Sequence, residues 1–238
     1  MKAIIKDVQK LKKFIDIANS LLIEAKIKST KDGIEMIATD PANVCMVSMI
    51  LKKPVFVALE GEEDFCINIH TLKDMLKRTK ADEQIDMEYA NKQLILKFGE
   101  KTKRTFKLPT IVIDEKDQKL PELNFEVVSE FIAEEFTRVL EDVTWIGESA
   151  HFTVKEGKIL INSSDGTMSG NGEITPSSMT AKEGAKGIYS VEYLKKICIK
   201  DIAEKLKFSY SKEYPLQIEY DSESMRVLFI LAPRIEND

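Results

Sequence analysis

Few side chains in this 238-residue sequence sit where they could make or break bonds. The two histidines, His70 and His151, fall in unrelated contexts, and the cysteines and histidines do not form the paired spacing that a zinc site uses. Cys45, Cys66 and Cys198 lie inside apolar strand or helix patterns without a partner at short spacing. They read as small core residues in a reducing compartment, not as a disulfide framework. Asp165-Gly166 with Gly170 and Gly172 makes a glycine-rich turn, yet the lysine and the helix of a phosphate loop are missing. No catalytic residue, cofactor or metal is therefore expected. What the sequence does offer is cations at helical spacing: Lys12 and Lys13, then Lys73, Lys77 and Lys80, then Lys195, Lys196 and Lys200. Lysine is a hydrated point charge on a flexible stem, which suits loose contact with phosphate.

Helices must carry those lysines. Over residues 8–22, Leu11, Phe14, Ile15, Ala18 and Leu22 fall on one face, which predicts a first helix with Lys12 and Lys13 on its far side. Thr71 with Asp74 three residues on reads as a capping box opening a second helix that runs to about Lys80. A third helix is predicted over 134–146 and a fourth from Ser190, as N-cap, to about Lys200. The third differs in charge, with Glu134, Glu135, Glu141 and Asp142 against the single cation Arg138. Period-two runs such as Ile34, Met36, Ala38 and Val44, Met46, Ser48, Ile50 predict antiparallel strands, with further ones at 1–7, 65–69, 85–89, 94–98, 103–108 and about 125–132. The net charge of −5 argues against wholesale adhesion to nucleic acid. Solvated helix faces often collect lysine, but three basic helices of four in an acidic chain favour a functional surface.

The sequence also repeats itself. At an offset of 124, Glu24-Ala25 and Lys31-Asp32-Gly33 fall on Glu148-Ser149 and Lys155-Glu156-Gly157. Leu72, Lys73, Met75 and Leu76 likewise run parallel to Leu194, Lys195, Ile197 and Cys198. A period near half the length predicts two similar α+β domains, at 1–107 and 124–238, each of two strand-helix-three-strand units. Residues 108–123, with Pro109, Pro121 and the run Asp114-Glu115-Lys116-Asp117, suit an extended connector. Charges at Lys2, Lys6, Asp7 and Lys10 interrupt the start, so neither a signal peptide nor a membrane span is expected, and a soluble, intracellular protein is.

Glu24-Ala25 followed by Asp32-Gly33 and Asp40-Pro41, the stretch Arg104-Thr105-Phe106-Lys107-Leu108-Pro109, and the final Leu231-Ala232-Pro233-Arg234-Ile235-Glu236 carry a resemblance. Over essentially its whole length the chain resembles the sliding clamps of archaea and eukaryotes, the proliferating cell nuclear antigen family. The resemblance implies the DNA clamp fold, a closed three-subunit ring without an active site, helices lining the hole and sheets outside. Double-stranded DNA would run through it without sequence preference. A clamp loader would open it, and DNA polymerase, flap endonuclease and ligase-type partners would dock through short peptide motifs. A cytoplasmic, nucleoid-associated location fits. The alternative is a clamp-like scaffold, or a heterotrimer subunit specialised for partner recruitment.

Carried over residue by residue, the DNA-facing set is Lys12, Lys13, Lys73, Lys77, Lys80, Arg138, Lys195, Lys196 and Lys200. Glu141 stands where the family more usually has a basic residue. The partner-peptide pocket would use Val44, Met46, Leu120, Pro121, Pro215, Ile230, Leu231, Ala232, Pro233 and Ile235, with Thr39 where a larger apolar residue often sits. Strand core is the bland reading of Val44, Met46 and Ile230. Subunits would join by edge strands. The donor edge, about 101–109, offers Lys101, Lys103, Arg104, Thr105, Phe106 and Lys107. The acceptor edge, about 167–176, holds Gly170, Gly172 and one acid, Glu173. That poor match leaves homotrimer and heterotrimer both open.

Overall fold

The computed structural model describes residues 1–80, 83–99, 102–112 and 118–235, and the chain divides into two compact units. The first takes residues 1–43, 47–120 and 223–227, and the second 44–46, 121–222 and 228 onward. In the first unit the order is β1 (Lys2–Ile5), α1 (Val8–Leu21), β2 (Glu24–Thr30), β3 (Gly33–Thr39), β4 (Cys45–Lys52), β5 (Phe56–Glu60), β6 (Asp64–Asn68), α2 (Ile69–Leu76), β7 (Ile85–Ala90), β8 (Gln93–Phe98) and β9 (Arg104–Pro109). In the second it is β10 (Val127–Ile132), α3 (Ala133–Thr144), β11 (Ser149–Lys155), β12 (Lys158–Ser164), β13 (Ser169–Ile174), β14 (Ser178–Ala181), β15 (Lys186–Ser190), α4 (Val191–Ile197), β16 (Lys205–Tyr210), β17 (Leu216–Asp221) and β18 (Met225–Leu231). The two lists have the same grammar. Strand neighbours run β5-β1-β7-β8-β9 and β4-β3-β2-β6 in the first, β14-β10-β16-β17-β18 and β13-β12-β11-β15 in the second. The sequence repeat is thus a repeat of topology.

Each half has one strand more than the predicted units contain. β5 and β14 follow the third strand of the first unit and pair antiparallel with β1 and β10, respectively. Period-two reading misses them because β5 has no apolar alternation and follows Lys53-Pro54, while β14 is four residues long and mostly polar.

Alternation fixes the faces. Leu94, Leu96 and Phe98 of β8 are buried while Lys97 is open, and the same holds for Ile159 and Ile161 of β12. α1 buries Leu11, Phe14, Ile15 and Ala18. In the second unit Phe136 of α3 lies 4.9 Å from Phe131 and 4.9 Å from Phe208, whose ring is 5.0 Å from Phe152. This aromatic cluster supplies a large share of the buried apolar area of that core.

The helix ends correct two expectations. Asn68 caps α2: its Oδ1 accepts from the Thr71 N–H at 2.9 Å and the Thr71 hydroxyl at 3.0 Å. The helix therefore starts before Thr71, and Asp74 pairs with Lys77 at 2.8 Å instead of closing a capping box. The Thr79 hydroxyl donates to the Leu76 carbonyl at 2.7 Å, so α2 stops short of Lys80. α4 likewise ends at Ile197, which leaves Lys200 in the turn that follows. Among the described residues no helix is long and apolar enough to cross a membrane.

Candidate nucleic-acid interface and docking edges

The helix lysines of the first unit are present on the outer faces but are partly spoken for. Lys12 Nζ donates to the Thr79 carbonyl at 2.6 Å, and Lys73 of α2 pairs with Asp16 of α1 at 2.9 Å. The Lys77 ammonium donates to Asp74, and this hydrogen bond holds the Asp74 carboxyl below its ordinary range. Lys13 is half exposed and Lys80 fully so. Such exposed pairs are weak and exchange readily for phosphate. In the second unit Lys195 and Lys200 are exposed, and Lys196 pairs with Glu192 at 2.7 Å with its ammonium 5.0 Å from the Tyr193 ring. Arg138 is exposed on α3 beside Glu134, Glu135, Glu141 and Asp142, all exposed as well. The acidic partners Asp16 and Asp74 were missed in the sequence, although each stands three or four residues from a lysine on its own helix.

β9 and β13 are both edge strands of their sheets. On β9, Thr105 and Lys107 are exposed and Phe106 is half-buried, 5.5 Å from the Phe98 ring. Arg104 is turned back into its own unit, pairing with Glu83 and donating to the Arg78 carbonyl at 2.8 Å. The Lys80 backbone N–H, followed by Arg104, holds the Glu83 carboxyl low. Lys103 is exposed just before the strand, and Lys101 lies outside the described residues. β13 is different in kind. A Cβ on Gly170 would stand 2.6 Å from the Val143 carbonyl oxygen, and one on Gly172 2.7 Å from Val143 Cγ2 and 2.9 Å from Val139 Cγ1. These glycines let α3 lie directly on the edge strand. Glu173 is engaged by Lys158 at 2.6 Å. Val139 and Val143 face β13, so Glu135 and Asp142, four and three residues from Val139, flank the same side. The acids sought on the strand are on the helix above it.

The tail is pinned within the second unit. The Ala232 N–H donates to the Val44 carbonyl at 2.9 Å, the Arg234 N–H to the Ile188 carbonyl at 2.8 Å, and Arg234 Nη1 to the Glu148 carbonyl at 2.9 Å. Val44, Met46, Pro215, Ala232 and Pro233 are half-buried, and Ile230 and Leu231 buried. Leu231 has no exposed surface, so it is core and cannot line a pocket. Ile235 is 70% exposed and Pro121 is exposed. In the first unit Leu120 is 40% exposed, and the Thr39 hydroxyl donates to Gln118 Oε1 at 2.8 Å, which makes its polarity useful there. The connector's charge run at 114–117 and Glu236 lie outside the described residues.

Residues 1–119 match the family model described as proliferating cell nuclear antigen, N-terminal domain. The chain belongs to the proliferating cell nuclear antigen family. Family members share its full length: a DNA polymerase sliding clamp of Nanoarchaeum equitans is 29% identical over 98% of this chain and 99% of its own. One from Thermococcus sibiricus is 30% identical over 93% of each. Among solved structures, a PCNA2–PCNA3 complex from Sulfolobus tokodaii matches with a TM-score of 0.87 at 19% identity, covering 99% of this chain and 100% of that one. The clamp from Entamoeba histolytica matches with a TM-score of 0.88 at 17% identity over 98% of each. At these identities the structural likeness speaks for the fold.

Proposed function

We propose that this chain is a DNA polymerase sliding clamp, a ring-forming, non-catalytic subunit that encircles duplex DNA and holds polymerases and other replication and repair enzymes on it. The observation that carries this reading is the match along the whole chain to archaeal proteins named DNA polymerase sliding clamp. The charge pattern supports it. A closed ring is retained by topology, so its contacts need only be weak and non-specific, and lysines paired loosely with Asp16 and Asp74 are of that kind. The histidines and thiols fit a protein without an active site: His70 leans on Asp74 at 3.5 Å, and burial pushes the Cys198 thiol up, away from reactivity. In this reading the protein works in the cytoplasm, on chromosomal DNA.

The ring closes, in this reading, by pairing β9 of one copy with β13 of the next. Lys103 and Lys107 then approach an edge flanked by Glu135 and Asp142, which makes the chain a better match for itself than Glu173 alone does. A ring of unlike subunits is the second reading, favoured by the occupation of Arg104 and Glu173 within their own units. The tail and connector would take partner peptides by anchor-in-pocket recognition with added strand contact.

With a clamp loader and ATP, the protein is expected to make a polymerase processive on primed circular DNA. Reversing Lys12, Lys13, Lys77 and Lys80 to glutamate should cut that stimulation at least tenfold at low salt and leave the circular dichroism unchanged, since all four lie on outer faces. Stimulation equal to the parent's in low salt would remove these helices from the DNA path.

A further inference from the structure

The turn that follows α2 is held from three directions. The Arg78 carbonyl accepts from Arg104 Nη1 at 2.8 Å, the Thr79 carbonyl accepts from Lys12 Nζ at 2.6 Å, and the Lys80 N–H donates to Glu83 Oε2 at 2.8 Å. In return the Glu83 N–H donates to the Lys80 carbonyl at 3.4 Å. Glu83 joins two of these ties, because its other oxygen, Oε1, accepts from Arg104 Nη2. Arg104 is the first residue of β9, and its guanidinium carbon lies 5.7 Å from the centre of the buried Phe98 ring. Its fork is shared between the backbone of the turn and the carboxylate that holds Lys80. An exposed ion pair alone carries little. This one is branched, and its carboxylate side chain is only 17% exposed. Arg104 and Glu83 thus clamp the start of an edge strand to a turn that presents Lys80 to solvent.

The equivalent turn after α4 is tied elsewhere. There the buried Tyr220 hydroxyl donates to the Ile197 carbonyl at 3.1 Å and accepts from the Ile199 N–H at 2.8 Å. Tyr220 belongs to β17, which has a strand on either side. One turn is anchored on a sheet interior and the other on a sheet edge.

We propose that Glu83 is a positioning residue that joins the DNA-facing turn after α2 to the subunit edge, so that the strand which closes the ring also sets where Lys80 meets phosphate. The inference rests on the clamp reading. A β9 paired with a neighbour is fixed along its length, and Arg104 passes that constraint through Glu83 to the Lys80 backbone. An unpaired β9 leaves its first residue, and with it the turn, less ordered. Lysine is a point charge on a flexible stem, so the place of its backbone decides which phosphates it can reach.

Double-mutant cycles test this, since independent losses add and coupled ones do not. Polymerase stimulation is measured with clamp loader and ATP at concentrations where each variant is assembled. Lys80→Ala should lower it about threefold in the parent and leave it unchanged in a Glu83→Gln background. Glu83→Gln keeps the shape of the side chain but turns an NH2 towards a donor, so by itself it should cost as much as Lys80→Ala. Light-scattering mass on dilution reads the edge. Glu83→Gln and Arg104→Ala should each raise the concentration at which the assembly dissociates about fivefold, and together no further. A residue that merely props the fold would give additive losses in both measurements. If the parent assembles and stimulates polymerase but the losses add in either cycle, or Glu83→Gln matches the parent, the inference is overturned and the clamp reading stands. A parent that neither assembles nor stimulates polymerase would end both.

Discussion

A Gly170→Val chain should lose about 3 kcal/mol of stability in the second unit and fail to assemble, because the new side chain collides with backbone. Its Cβ would lie 2.6 Å from the Val143 carbonyl oxygen and 3.3 Å from Val143 Cα, and backbone in the last turn of α3 cannot step aside without moving that end of the helix. Lifting α3 uncovers Leu140 and Val143 and disturbs the Phe131, Phe136 and Phe208 cluster beneath. Gly172→Ala should cost less, about 1 kcal/mol, since its neighbours are the valine side-chain atoms Val143 Cγ2 and Val139 Cγ1. Denaturant midpoints and light-scattering mass read the two effects separately. A Gly170→Val protein as stable as its parent would mean that α3 does not rest on β13. The ordering matters for function, because the same helix brings Glu135 and Asp142 beside the edge that the ring reading assigns to the neighbouring subunit.

Serine at both Ile235 and Leu120 should weaken binding of a partner peptide by more than tenfold while leaving stability within about 0.5 kcal/mol of the parent. Ile235 is 70% exposed and Leu120 40%, so neither supports a core, and their apolar surface is available to an aromatic anchor. Leu231→Ala provides the contrast. That side chain has no exposed surface, and its truncation should cost about 2–5 kcal/mol of stability. Titration calorimetry with a peptide from a clamp-dependent polymerase, alongside thermal unfolding, separates the two kinds of loss. Undiminished affinity in the double serine variant would move the peptide site elsewhere. Arg234 adds a detail: its hydrogen bonds to Ile188 and Glu148 hold the tail up to the residue before Ile235.

The large features were legible because they are periodic. Leu11, Phe14 and Ile15 announced α1, and the Lys31-Asp32-Gly33 and Lys155-Glu156-Gly157 turns announced the hairpins β2-β3 and β11-β12 that the two halves share. Edge strands were harder, since β5 and β14 are paired on one side only and need no full apolar alternation. The α2 cap was misplaced because Thr71 and Asp74 fit the capping pattern as well as Asn68 does, and only the hydrogen bonds choose between them. The electrostatics of β13 could not be read along its own sequence at all. Beside its own Glu173 stand Glu135 and Asp142 of α3, and Gly170 and Gly172 admit that helix against the strand.

Retention on closed DNA tests the central claim most directly. Loaded onto a nicked circular plasmid and passed through a sizing column in high salt, the protein should stay with the circle, because topology and not ionic contact holds it. Linearising the plasmid should then release it within the time of the column. Equal retention on circle and line, or loss from the intact circle in high salt, would contradict a ring that encircles DNA.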